Sequence, residues 1–217
     1  MPSSVVFLGP SLSREEASAV LNAEFLPPIK RGDVSRLLRE RVPDAIGVVD
    51  GQFLQSFSIS PKEILQAIEA GVRVFGASSM GVLRAVELEP YGMTGVGQIY
   101  RLFASGELDA DDEVAMIYDS GTLQPVSVPL VNMRVALAAA RERGLISEET
   151  ERLFIEEAKK TYFPERTYNS ILAAVGPGLP EEEVSRLRQF LATSAPDAKR
   201  EDALELLRQM KSYLTGR

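Results

Sequence analysis

The chain of 217 residues is 45% hydrophobic and 25% charged, which is typical of a soluble globular protein with a full core. A net charge of −7 disfavours a nucleic-acid backbone, and no apolar run is long enough to cross a bilayer, so we expect neither nucleic acid nor membrane as a partner. Histidine and cysteine are both absent, which excludes a Ser-His-Asp triad, thiolate chemistry and histidine-ligated metals, and we expect no metal and no cofactor.

The N-terminal segment MPSSVVFLGP lacks the basic and long apolar regions of a signal peptide, so we expect a cytoplasmic location. Strand and helix patterns then alternate as far as residue 88. The strand patterns are SVVFLGP, AEFLPP, DAIGVVDG and VRVFGAS, and the helical patterns between them are SLSREEASAVLNA, RGDVSRLLRERV and SPKEILQAIEAG. This alternation predicts an α/β fold with a mainly parallel sheet flanked by helices in the N-terminal half.

The second half has mostly helical patterns. VGQIYRLFASGEL is predicted to be a helix, DDEVAMIYD a strand, and the segment 123–144 an edge strand followed by a long helix. Four further helical patterns follow Ser147. We therefore predict an α/β domain over residues 1–145 and a helical C-terminal region over residues 146–217.

A serine is the strongest candidate nucleophile. In RVFGASSMGVLRAVEL a strand runs into a helix, and such a turn lies at the carboxyl edge of a parallel sheet, where ligands bind. Ser79 has the small residues Ala77 and Gly81 two positions before and after it, as a sharp nucleophile turn requires. The helix after Ser79 would offer free backbone N–H groups as an oxyanion hole. The alternative is a simple N-cap in a tight packing turn.

Without histidine, the base must be a lysine, a carboxylate, a tyrosine or a chain terminus. Lys62 follows the helix-start signal Ser60-Pro61, where the positive end of the helix dipole disfavours its ammonium form. If the strands before Lys62 and Ser79 are neighbours, the two side chains can meet. Lys30, in a loop, is a second candidate. The remaining lysines are predicted to be solvated residues of charged helices, namely Lys159, Lys160, Lys199 and Lys211.

Three other features are weaker candidates. FLGPS, at residues 7–11, can bind an anion but lacks the dinucleotide glycine pattern, and DADDEVA is predicted to be a solvated acidic turn. Arg84 and Glu87, one helical turn apart, either pair with each other or point into the site.

The chain resembles the TfuA-like family over roughly residues 5–118. Six motifs carry the resemblance in order, namely FLGPSLS, PPIKRGD, IGVVDGQF, KEILQAIEAGVRVFGASSMGVLRAVEL, YGMTGVG and DDEVA. The resemblance implies a partner of YcaO enzymes in peptide backbone thioamidation. It also implies hydrolysis of a thiocarboxylated, ThiS-like sulfur carrier to release sulfide, and recruitment of a precursor peptide or protein substrate.

The family is associated with a Ser-Lys pair, which falls here on Ser79 and most closely on Lys62. Small residues, including Gly47, Gly51, Gly76 and Ala77, are expected to line a groove for the carrier's tail. The predicted substrate-binding residues are Ser78, Gly76, Ala77, Arg84, Lys30 and Asp50. The alternatives are a noncatalytic adaptor that brings carrier or peptide to YcaO, and a nucleotide-binding protein that uses FLGPS.

Overall fold

The protein forms two compact units in a computed structural model that describes residues 3–53 and 58–216. The first, here called the sheet unit, comprises Met1–Asp109 and Lys199–Arg217. The second, the helical unit, comprises Ala110–Ala198. The chain therefore leaves the sheet unit and returns to it for the last helix. The predicted boundary near residue 145 falls inside the helical unit.

The described residues of the sheet unit contain a five-stranded, wholly parallel sheet in the order β2-β1-β3-β4-β5. Its strands are β1 Ser4–Phe7, β2 Glu24–Leu26, β3 Ala45–Val48, β4 Arg73–Gly76 and β5 Thr94–Gly95. All four predicted strands of the first half are present, and β5 adds a short edge. The predicted fold class, a parallel sheet flanked by helices and followed by a helical half, is confirmed.

Helices cover both faces of the sheet. The helices of this unit are α1 Arg14–Val20, α2 Asp33–Glu40, α3 Pro61–Glu69, α4 Met80–Leu88, α5 Gly97–Ala104 and α10 Ala198–Thr215. Alternate residues of β1 point to opposite faces. Val5 packs with residues of α2, α3 and α4, whereas Val6 packs with α1 and with the apolar side of α10. The C-terminal helix is thus part of the core of the sheet unit.

The helical unit has its own apolar core, built from α6 Leu130–Glu142, α7 Glu148–Lys160, α8 Tyr168–Val175 and α9 Glu181–Thr193. The strand predicted at DDEVAMIYD is wrong, because Asp111–Glu113 forms a short 3-10 helix. The acidic turn is not wholly solvated either: Glu113 is buried and accepts two hydrogen bonds from Arg134, at 2.9 and 2.7 Å. No helix in the described ranges combines the length and apolar character needed to cross a bilayer.

Candidate active site

The turn between β4 and α4 has an unusual backbone. Ser79 N–H donates to the carbonyl of Ala77 at 2.8 Å, which closes a γ-turn around Ser78. Ser78 has a φ of 69°, a left-handed conformation that costs free energy for a residue with a side chain. Ser79 follows with φ −124° and ψ −120° and serves as the N-cap of α4 without a side-chain capping bond. Its hydroxyl is therefore left available for another partner.

Glycines make this sharp turn sterically possible. A Cβ atom on Gly81 would overlap the carbonyl oxygen of Val48, and one on Gly76 would overlap the carbonyl oxygen of Gly81. The first turn of α4 therefore lies directly against β3 and β4. Of the predicted small residues Ala77 and Gly81, Gly81 is therefore required by this packing, and Gly76 is a further position without room for a side chain.

The amine of Lys199 lies beside the hydroxyl of Ser79. Lys199 Nζ donates to Ser79 Oγ at 3.1 Å, and the two residues are 0% and 2% exposed. Lys199 is the second residue of α10, whose apolar side packs on the sheet. The prediction that Lys199 is a solvated residue is wrong, because this helix begins on the sheet unit and not in solvent.

Ser78, the neighbouring serine, contacts the main chain of the same lysine. Ser78 Oγ donates to the carbonyl oxygen of Lys199 at 2.8 Å, and Ser78 is fully buried. Two adjacent serines thus hold one lysine, Ser78 by the backbone and Ser79 by the amine.

A backbone N–H group is free at the start of α4. Within the described residues, the N–H of Met80 has no hydrogen-bond acceptor, whereas that of Gly81 donates to Val49 O at 3.2 Å. The N–H of the residue after a nucleophile is the group that an oxyanion hole uses in turns of this kind. The serine turn therefore supplies the Ser79 hydroxyl and the free N–H of Met80, and the amine of Lys199 lies beside that hydroxyl.

A buried carboxylate near the start of α10, that of Asp202, binds the first turn of another helix. Asp202 Oδ1 and Oδ2 accept from the backbone N–H groups of Gln98 and Ile99, at 2.7 and 2.8 Å, in the first turn of α5. Burial raises the pKa of Asp202 to about 6, against the lowering effect of those two hydrogen bonds. Gly97, with a φ of 98°, leaves no room for a side chain beside this carboxylate. Asp202 thus anchors the segment that carries Lys199.

The comparison with known families matches this chain to one of them. A sequence model of TfuA-like proteins matches residues 50–167, more than half of the chain. The chain belongs to the TfuA-like protein family. The match includes the serine turn of this TfuA-like protein and ends before Lys199. No curated protein matches the chain.

Lys199 lies beside Ser79 Oγ, which is the position predicted for Lys62. Lys62 is exposed at the second residue of α3, and its backbone N–H donates to Ser60 Oγ at 3.3 Å, as predicted for the helix start. The next two residues, Glu63 and Ile64, are buried. Glu63 and Ile64 therefore occupy the buried side of this helix turn, and Lys62 does not. Lys30, the second candidate, is also exposed.

Asp50 is occupied within the fold. Its carboxylate accepts from the N–H groups of Gly9 and Ser11, at 2.8 and 3.1 Å, and from Ser11 Oγ at 2.6 Å. These groups belong to FLGPS, so the anion that this loop binds in the TfuA-like protein is its own aspartate. This arrangement disfavours both a substrate contact by Asp50 and a nucleotide at FLGPS.

The remaining predicted site residues make contacts within the sheet unit. Arg84 Nη1 donates to Glu87 Oε2 at 2.6 Å, so the predicted intrahelical pair forms. Gly47 and Gly51, two of the residues predicted to line a groove, pack against neighbouring side chains. Met210 Sδ lies 2.6 Å from where a Cβ of Gly47 would be, and Met80 Cβ lies 2.7 Å from that of Gly51.

The sequence of α10 contains a signal for Lys199. Buried apolar residues recur at Ala203, Leu206 and Met210, and Lys199 is in phase with them at the start of the stripe. A lysine within a helix's apolar stripe is poorly placed for solvent and is therefore a better candidate base than a lysine on the exposed side of a helix.

Proposed function

We propose that this TfuA-like protein is a serine hydrolase that uses Ser79 as nucleophile and Lys199 as general base. The observation that carries this proposal is the 3.1 Å hydrogen bond between Lys199 Nζ and Ser79 Oγ at the carboxyl edge of the sheet. A serine hydroxyl is a weak nucleophile unless an adjacent base takes its proton. In a chain without histidine, a buried lysine beside the hydroxyl can provide that base.

The burial of Lys199 supports a basic role. Burial in a low-dielectric environment disfavours the charged form of a lysine. Lys199 is 0% exposed, and its amine lies 3.1 Å from the hydroxyl whose proton it would take. Lys62 lacks this advantage, because its side chain is exposed.

The proposed substrate is the thiocarboxylated C-terminus of a ThiS-like sulfur carrier, with a YcaO enzyme as the partner that consumes sulfide in peptide thioamidation. Membership in the TfuA-like family, which is associated with YcaO enzymes, supports this choice. Precursor peptide is the third component of such a complex.

The chemistry balances with water as the second reactant. Ser79 Oγ forms a bond to the thiocarboxylate carbon while its proton passes to Lys199 Nζ. The Met80 N–H binds the oxygen of the tetrahedral centre, whose C–S bond then breaks, and sulfur leaves as the hydrogensulfide anion, HS⁻, with the proton from Lys199. Water next attacks the ester on Ser79, and Lys199 takes one of its protons and returns it to Ser79. The carrier leaves as a carboxylate, and the second proton of the water passes to solvent.

A noncatalytic adaptor is the second candidate. The observation in its favour is burial, because Ser79 is 2% exposed and a substrate must reach its hydroxyl. In this case the serine turn would be a packing device, consistent with the close approach of Gly76 and Gly81.

The deciding experiment incubates the purified protein with thiocarboxylated carrier and measures sulfide release together with the carrier's mass. We expect Ser79→Ala and Lys199→Ala to abolish release, and Lys211→Ala, which removes an exposed lysine from the same helix, to keep it. Loss in Lys62→Ala with full release by Lys199→Ala would instead assign the base to Lys62. Release by wild type and all variants that is no faster than without protein would favour the adaptor.

A further inference from the structure

We infer that Ser78 is a positioning residue that holds Lys199 by its main chain, so that the lysine amine faces Ser79. This inference rests on the proposed function for its catalytic consequence. Its structural part stands on the hydrogen bond from Ser78 Oγ to the carbonyl oxygen of Lys199, at 2.8 Å.

The direction of this hydrogen bond determines what Ser78 can do. A carbonyl oxygen only accepts hydrogen bonds, so the Ser78 hydroxyl donates its one proton to the carbonyl oxygen of Lys199. Ser78 is therefore not a proton relay between Lys199 and Ser79. The lysine amine reaches Ser79 Oγ directly, at 3.1 Å, and needs no intermediate group.

The carbonyl group of Lys199 lies in the first turn of α10. Carbonyls in the first turn of an α-helix accept from residues four positions later, and that bond orients them along the helix axis. An additional donor on the Lys199 carbonyl ties this turn to the serine turn. Asp202, on the next turn, makes the second attachment through the N–H groups of Gln98 and Ile99.

The backbone of Ser78 argues that its hydroxyl is required. A left-handed φ of 69° favours glycine or asparagine over serine. The full burial of a strained serine is explained when its hydroxyl has a task that glycine cannot perform.

Ser78→Gly separates the left-handed backbone from the hydroxyl of this residue, because glycine suits that backbone and lacks the hydroxyl. We expect kcat for sulfide release to fall about tenfold with KM unchanged. Ser18→Ala, which removes an exposed serine that donates to a carbonyl within α1, is the matched control.

A second measurement does not depend on the proposed reaction. Acetylation of lysines by an N-hydroxysuccinimide ester, read by peptide mass spectrometry, gives the modification of Lys199 relative to exposed Lys211. Loss of one hydrogen bond should raise this ratio in Ser78→Gly by about five- to tenfold. An unchanged ratio, or a raised ratio with unchanged kcat, overturns the inference. Release that persists in Ser79→Ala would instead overturn the proposed function, and the ratio would still decide whether Ser78 holds Lys199.

Discussion

The side chains of Ser79 and Lys199 meet at 3.1 Å across 120 positions of sequence. The serine follows the fourth strand, and the lysine begins the last helix, after the chain has built the helical unit and returned. The candidate dyad therefore depends on a helix that closes one face of the sheet.

The first prediction concerns the identity of the nucleophile. A fluorophosphonate should form an adduct on Ser79 and not on Ser78, because the Ser78 hydroxyl donates to a carbonyl. Lys199→Met keeps a long apolar side chain but removes the amine, so adduct formation should slow by about 10²-fold or more. Peptide mass spectrometry gives both the site and the rate. An adduct on Ser78, or equal rates with and without the amine, would contradict the assignment.

The second prediction concerns pH and Asp202. Its pKa is raised from 3.8 to about 6 in the folded protein, mainly by burial. Between these values the folded state binds more protons than the unfolded state, so the contribution to stability falls as pH rises from about 4 to about 6. The full difference corresponds to about 3 kcal/mol.

Urea unfolding of wild type and Asp202→Asn across this pH range measures that contribution. The difference between their free energies of unfolding should change in favour of the variant as pH rises, because asparagine does not ionise. A difference that stays constant with pH would contradict the raised pKa of Asp202.

The third prediction concerns the glycine at the start of α4. Gly81→Ala should lower the free energy of unfolding by about 3 kcal/mol or more, because the new Cβ overlaps the Val48 carbonyl oxygen. Alanine's better helix propensity, about 1 kcal/mol, is too small to offset this clash. Gly178→Ala is the control, since nothing lies within 4 Å of a Cβ there. Similar urea midpoints for the two variants would show that α4 does not pack this closely on β3.

The fourth prediction concerns the acidic segment of the helical unit. Arg134→Leu should lower the free energy of unfolding by about 3 kcal/mol, because it leaves the buried carboxylate of Glu113 without its two guanidinium hydrogen bonds. Arg152→Leu also removes a paired arginine, but the pairs of Arg152 with Glu149 and Glu156 are exposed, so its urea midpoint should not change measurably. Equal losses in the two variants would show that burial does not distinguish these ion pairs.

Local patterns in the sequence were enough to predict the sheet unit's framework. The four strand patterns and the serine turn depend on short-range chemistry, such as apolar runs, helix caps and the glycines around Ser79. These rules act over a few residues, so the serine turn could be located without coordinates. The same rules failed at DDEVAMIYD, where the acidic side chains pair with arginines far along the chain and the backbone forms a 3-10 helix.

By itself, the sequence limited any candidate base to a small set of residues, and it placed Ser79 at the edge of a parallel sheet. Only the tertiary structure decided which lysine reaches Ser79. The stripe Lys199, Ala203, Leu206 and Met210 is readable as the buried side of a helix, but its pattern does not say which surface that side covers. That choice is made by the packing of α10 on the sheet and by the anchors at Ser78 and Asp202, which are contacts between residues far apart in sequence.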